Sequence, residues 1–473
     1  MVVAARLRVL THARYQFCMR SGCMTRWEAE KRGAGSCPSC RSRVLGKDES
    51  SGTVPARRMP APAKAGAAAG GSGAGGSAGA SRLRLLRQTP RGFNDDIIPA
   101  YSGGAQLSDA VPAGPRGGTA RLWLGAAFWR DPAAPISVLM ALHSDGAMTR
   151  LALTGAPWPL SAGLAGAALA AVAPDLLLVC GGMFPGVQCT ACPMLALRIS
   201  WARDGGGTAE VIPVPVLRGA DAAAGRGKKA VRAAPPPQRR SSAAAAAHGG
   251  VFYLLGGMGD ECGEATRGFW DLHAFTLADP ARPAAGGSWT ALRLRGAHPP
   301  SGGYGPALWG AAQVQRGSTL YLIGGRTHSG YSAEVYAVDL PRGAVRCLAP
   351  APGGTVPRGR LGAAAVQLRD GRLLLAGGGD AQVDTRDAFT FDLGTHAWRR
   401  VELVQPAAMQ QVLRESLIAA AVPDFAGDDA ARDAAATQLL VWGGSACADA
   451  AAGSKSALGW SPRAKLLVLE PAQ

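Results

Sequence analysis

The chain has 473 residues, 47% of them apolar by type, and a formal net charge of +17. That length suits two or three average domains, or one large repeat domain with appendages. No uncharged apolar run reaches the roughly 18 residues that a membrane-spanning helix needs, and ten cysteines over this length are too sparse for a disulfide framework, which points to a reducing compartment, cytoplasmic or nuclear.

Residues 1–45 form the first predicted element. The start, MVVAARLRVLTHARYQF, is broken by Arg6, Arg8 and Arg14 and lacks a secretory core; being Arg-rich and free of acids until Glu28, it resembles an organelle-targeting segment. FCMRSGCMTRWEAEKRGAGSCPSC then places Cys18, Cys23, Cys37 and Cys40 close together, with four, thirteen and two residues between successive thiols. Two thiol pairs separated by about a dozen residues suit a tetrahedral Zn²⁺ site, against the alternative of free thiols in a basic tail. Residues 46–80, ending in AGAAAGGSGAGGSAGA, are predicted to be a disordered flexible linker. No strand precedes that glycine-rich stretch and no helix follows it, so it does not read as a nucleotide loop.

From residue 81 to 473 one pattern recurs: a short apolar run ending in Gly-Gly, at 181–182, 256–257, 324–325, 377–378 and 443–444. The first glycines are spaced 75, 68, 53 and 66 residues apart. A period in this range calls for a repeat architecture. Before the runs lie small-residue segments such as GAAQVQ and LGAAAVQL; after the glycines come a polar loop, a third run such as VYAVDL or AFTFDL, and often a fourth with Trp289 or Trp398. Apolar runs this short, bounded by Gly, Pro and Asp, read as strands. The expected fold is therefore all-β, with four antiparallel strands per unit arranged radially. A basic insertion, expected to be disordered, is assigned to about 218–248; 216–240 holds seven basic residues and one acid. With residues 1–60 at a net +8, these two segments carry 14 of the 17 net charges, enough for non-specific contact with nucleic acid and not for specific recognition. In a chain with 43 Arg, seven Lys and a single Asn (Asn94), arginine excess also reflects a GC-rich coding bias.

Gly-Gly, an aromatic eleven residues after the second glycine (Tyr336, Phe389) and a Trp such as Trp398 together resemble kelch repeats. The resemblance covers roughly residues 119–473 and implies a propeller of five to seven blades, six being expected, with a diverged first blade at 119–157. The chain ends just after a third strand, AKLLVLE, so RLRLLRQ (82–88) is expected to supply the missing fourth strand. CPSCR and the upstream Trp27 resemble the second half of a RING finger, although no cysteine precedes Cys18.

The kelch resemblance implies a binding surface. Loops beyond the Gly-Gly pairs offer Asp260, Glu261, Arg326, His328, Tyr331, Asp380 and Arg386 as partner contacts, with Arg and Tyr favoured as anchors. Seven scattered histidines and the absence of a GxSxG elbow or phosphate loop leave no catalytic constellation, and a kelch-type propeller oxidase is disfavoured. The expected function is a protein–protein interaction scaffold or substrate-recognition subunit. The alternative is a RING-like ubiquitin ligase that recruits a ubiquitin-conjugating enzyme through the Cys-rich element.

Overall fold

The structure is a computed structural model that describes residues 81–86, 97–100, 107–129, 131–155, 166–182, 193–217, 234–259, 267–302, 305–380, 385–413, 415–422, 436–446, 459–460 and 465–470, with short strands at 16–18 and 23–25. The chain divides into two compact units, 1–78 with 261–267, and 79–260 with 268–473. In the first, Gln16–Cys18 pairs antiparallel with Cys23–Thr25, and Cys18 stands opposite Cys23. Cys37, Cys40 and the 46–80 linker lie outside the described residues.

The second unit is all-β apart from short helical turns and one helix, Pro406–Val412, which the sequence reading did not anticipate. The runs that end in Gly-Gly are strands: Leu176–Cys180, Val251–Met258, Thr319–Ile323, Leu373–Ala376 and Thr437–Ala446. Each is hydrogen-bonded on one side to a small-residue strand, namely Ala168–Ala173, Ala244–His248, Ala312–Arg316, Ala364–Gln367 or Glu415–Ala421. On its other side lies a third strand: Met194–Trp201, Gly268–Leu277, Val335–Asp339, Ala388–Phe391 or Lys465–Glu470. Four of these groups end in an outer strand of their own, Gly207–Pro213, Gly287–Leu292, Ala344–Cys347 and Trp398–Arg400. The last group has none, and Arg82–Leu85 fills the place, with Arg82 opposite Glu470 and Leu85 opposite Leu467. The strand expected from RLRLLRQ is thus found where the missing partner required it.

The segment that lacks Gly-Gly forms the strands Thr119–Trp129, Asp131–His143 and Met148–Gly155, and the last of these pairs in parallel with Gly207–Pro213, so that it shares one sheet with the Leu176–Cys180 group. Its innermost partners lie upstream of the expected boundary at 119, in Ile97–Ala100 and Val111–Pro112. A second correction concerns the expected basic insertion. From Ala234 onward it is part of the fold: Arg239 and Arg240 are buried, and Ala244–His248 is a strand. Residues 218–233 lie outside the described residues.

Strands in the middle of their groups, such as Leu176–Cys180, Val335–Asp339, Leu373–Ala376 and Ala388–Phe391, are buried on both faces, which explains their continuous rather than alternating apolar character. Each hydrophobic cluster joins two successive groups, as when Leu122 and Leu139 meet Leu177 and Leu197, or Phe252 and Trp289 meet Leu178 and Ala196. One cluster joins the last group to the first: Trp442 and Leu466 pack on Trp123 and Met140, with the two indoles edge-to-face at 5.0 Å. This closure is compatible with a propeller.

The Gly-Gly pairs serve the same junctions. The second glycine donates its N–H to a carbonyl of the next group: Gly182 to Arg240 at 2.9 Å, Gly257 to Leu308 at 2.9 Å and Gly325 to Arg360 at 2.7 Å. At Gly325 the backbone is left-handed, φ 94°, and a Cβ would lie 2.8 Å from the Leu308 side chain. Glycine alone satisfies both constraints without strain.

Candidate binding face and central cavity

Two places in the second unit concentrate polar chemistry. The first is the loop beyond Gly324-Gly325. Arg326–Thr327 and Gly330–Tyr331 pair as a miniature hairpin, and Thr327 Oγ1 closes its turn by donating to the Gly330 carbonyl at 3.1 Å and accepting from the Ser329 amide at 3.1 Å. Trp309, just before the small-residue strand of that group, exchanges backbone hydrogen bonds with Arg326 at 2.8 and 3.1 Å. This register places the Arg326 guanidinium 5.7 Å from the Trp309 ring centre and 5.5 Å from that of Tyr331. His328 meets Trp309 at 5.7 Å in a T-shaped contact. Trp309 is buried, His328 and Tyr331 are half-buried, and Arg326 is exposed. The result is an exposed cation held near two aromatic rings.

Beside it, Gly359 packs against the Tyr331 carbonyl so closely that a side chain there would overlap it. This carries Arg358 next to the hairpin, where its Nη2 lies 2.5 Å from Asp380 Oδ2. Of the predicted contacts, Arg326, His328 and Tyr331 are therefore brought together. Asp380 joins their neighbour Arg358, Arg386 is half-buried in the next loop, and Asp260 and Glu261 lie outside the described residues. Sequence reasoning missed Trp309 and Arg358. Their signal was positional, since PALWGA (306–311) and RGRLGA (358–363) enter their small-residue strands in the same way.

Glu334, on the same loop, turns inward to accept hydrogen bonds from the Tyr336 hydroxyl and from Ser332 Oγ, the latter at 3.5 Å. Burial and then the Glu334 carboxylate push the Tyr336 hydroxyl far above its ordinary value, so it remains a donor. In the flanking groups the corresponding carboxylates bind buried arginines. Arg240 donates to the Gly256 carbonyl at 3.0 Å and, through both Nη atoms, to Asp271; Arg360 donates to the Gly377 carbonyl at 3.0 Å and to Asp387 at 2.6 Å.

The second place is a central cavity of about 90 Å³, onto which small-residue strands from the successive groups converge. Its polar lining comprises Asp109, Arg121, Gln313, Gln315 and Gln367. Gln313 acts as a substitute strand edge. Its side-chain amide accepts from the Ala245 N–H and donates to the Ala245 carbonyl, both at 3.1 Å. Gln315 does the same at Ala247, at 3.3 and 2.6 Å. Backbone groups left unpaired where the inner strands face one another are thereby satisfied. Burial pushes the Asp109 carboxyl above its usual range, against the attraction of Arg121 and a hydrogen bond from the Ala247 amide. Burial likewise lowers the Arg121 guanidinium.

Among the described residues no group of three or more His, Cys, Asp or Glu side chains could hold a metal ion, and no helix is long and apolar enough to cross a membrane. No protein-family model matches the chain, and no curated protein matches it.

Proposed function

We propose that residues 81–473 are a kelch-type propeller of six blades that works as a protein-interaction scaffold or substrate-recognition subunit, using the loops beyond the Gly-Gly pairs as its binding face. The observation that carries this reading is the placement of Arg326 near Trp309 and Tyr331, flanked by His328 and Arg358. An exposed guanidinium already held by aromatic rings loses little freedom on binding, and Arg, Tyr and Trp are the residues that anchor interfaces. The repeated four-stranded groups and the cluster joining the last group to the first support the propeller reading. In the test, wild type and the Arg326→Ala/Tyr331→Ala double variant are immobilised at equal density and their bound proteins quantified. Partners that bind wild type saturably, and leave a variant whose circular dichroism melt is unchanged, support the reading. Capture indifferent to both substitutions overturns it.

A second reading adds a RING-like ubiquitin ligase activity at the amino end, favoured by the backbone register that opposes Cys18 to Cys23. Cys18, Cys23, Cys37 and Cys40 would supply four thiolates, the donor set that structural zinc takes. Zinc bound per full-length chain should approach one and be lost in Cys37→Ser/Cys40→Ser; a wild-type chain without bound zinc removes this reading, and ubiquitin transfer that survives the double substitution removes the ligase. Both readings place the protein in the cytoplasm or nucleus.

A further inference from the structure

On the loop beyond Gly324-Gly325 the charges do not balance. Arg326 is exposed and makes no ion pair or side-chain hydrogen bond among the described residues; its side chain meets only the rings of Trp309 and Tyr331. The acids that could neutralise it are engaged elsewhere. Asp380 is paired with Arg358 and has a side chain only 9% exposed, while Glu334 turns inward to the Tyr336 hydroxyl and Ser332. The backbone fixes this imbalance in place. Arg360 donates its N–H to the Ser332 carbonyl at 3.0 Å, and Gly325 donates to the Arg360 carbonyl at 2.7 Å. Those bonds seat Arg358, with its side chain 57% exposed, beside the Arg326–Tyr331 hairpin.

Granted that the loop face is the interaction surface, we infer that its partner presents an acidic peptide segment, with an Asp or Glu carboxylate on the Arg326 guanidinium. A carboxylate matches the guanidinium fork, and rings beside the cation limit the freedom it loses on pairing. One exposed ion pair contributes little alone, so a free carboxylate ion would not be held; the affinity has to come from a longer segment that also covers Tyr331 and shields the pair from water. A nucleic-acid backbone fits less well, because it draws its affinity from several phosphates met by several cations, and this loop offers a single unmatched one.

The test selects random short peptides displayed on phage against the immobilised full chain, with counter-selection on Arg326→Ala. Peptides kept by wild type and lost by the variant are expected to share an Asp or Glu at one position. Replacing that acid by its amide, and Arg326 by Ala, should each weaken binding about tenfold, and both together little more than either alone, since they remove the same pair. Arg203→Ala, at an exposed arginine in the turn between Met194–Trp201 and Gly207–Pro213, should leave the affinity unchanged. Should Arg326→Ala not fold, Arg326→Gln takes its place. Discriminated peptides without a common acid, additive effects of the two substitutions, or an equal loss in Arg203→Ala overturn the acidic partner but leave the loop face as an interaction surface. So does a phosphoserine at the acid's position that binds more than about tenfold tighter, which reassigns the site to phosphopeptides. A selection in which no peptide distinguishes wild type from the variant also overturns the acidic partner. The interaction reading itself fails separately, when capture of partner proteins ignores both Arg326→Ala and Tyr331→Ala.

Discussion

Arg240 and Arg360 are one device used twice. Each sits four residues before a small-residue strand, extends under the aromatic ring of Phe269 or Phe389, and ties a Gly-Gly carbonyl to an aspartate, Asp271 on the third strand or Asp387 just before it. Both guanidiniums are fully buried, so removing one leaves a carboxylate without its counter-charge. Arg360→Ala is expected to cost about 3 kcal/mol, read from urea unfolding of the full chain. Between them, the same position is the buried Leu308, and there the carboxylate, Glu334, is bonded instead to Tyr336. Asp271 adds a pH signature. Burial would raise its carboxyl, but hydrogen bonds from His273 and Arg240 outweigh burial and hold it at about 2, below the ordinary 3.8. Because the folded value is depressed, the stabilisation is complete above about pH 4 and is lost as pH falls toward 2. Asp271→Asn should therefore flatten the acid limb of the melting-temperature profile between those values. With the carboxylate 39% exposed, the loss at neutral pH, discounted for solvent screening, is on the order of 1 kcal/mol.

At the scale of elements, strand identity and strand membership separate. TLYLIGG and RLLLAGG are legible as strands because runs of Leu, Ile and Tyr end in a conformational break. SSAAAAAH at 241–248 is not, since alanine has weak strand propensity and the stretch follows a basic, proline-rich segment. It becomes a strand because inner strands crowd together where only methyl groups fit, and because Gln313 and Gln315 satisfy the backbone edge that alanine cannot cover. The Gln-x-Gln alternation was visible in GAAQVQ, but its meaning depends on which neighbour it faces. Gly325 illustrates the opposite case, a residue whose role follows from type. Gly325→Ala should destabilise the chain by at least about 2 kcal/mol, combining a left-handed backbone with overlap of the Leu308 side chain, measurable by chemical denaturation.

For the whole second unit, the decisive contact is between its two ends. Leu83 is fully buried and lies opposite Leu469 on a strand that would otherwise have a bare edge. Leu83→Asp should cost about 3 kcal/mol or more by burying a charge, and light scattering should reveal concentration-dependent association through the exposed Lys465–Glu470 edge. A monomeric variant of unchanged stability would refute the closure. The strand at Arg82–Leu85 and its partner are 386 residues apart at Arg84 and Glu470, and the exact pairing rests on Leu83 and Leu85 entering the cluster that Leu467 and Leu469 line.

The repeated Gly-Gly runs and their spacing, by themselves, determined an all-β repeat, because glycine breaks and short apolar runs are local signals. Only the tertiary structure decided that Trp309 and Tyr331 meet Arg326, that an alanine tract is an inner strand, and that Arg121 and Asp109 meet in a central cavity. Each of these depends on which distant segments share a junction, a matter of packing and charge between groups that no single stretch of the chain encodes.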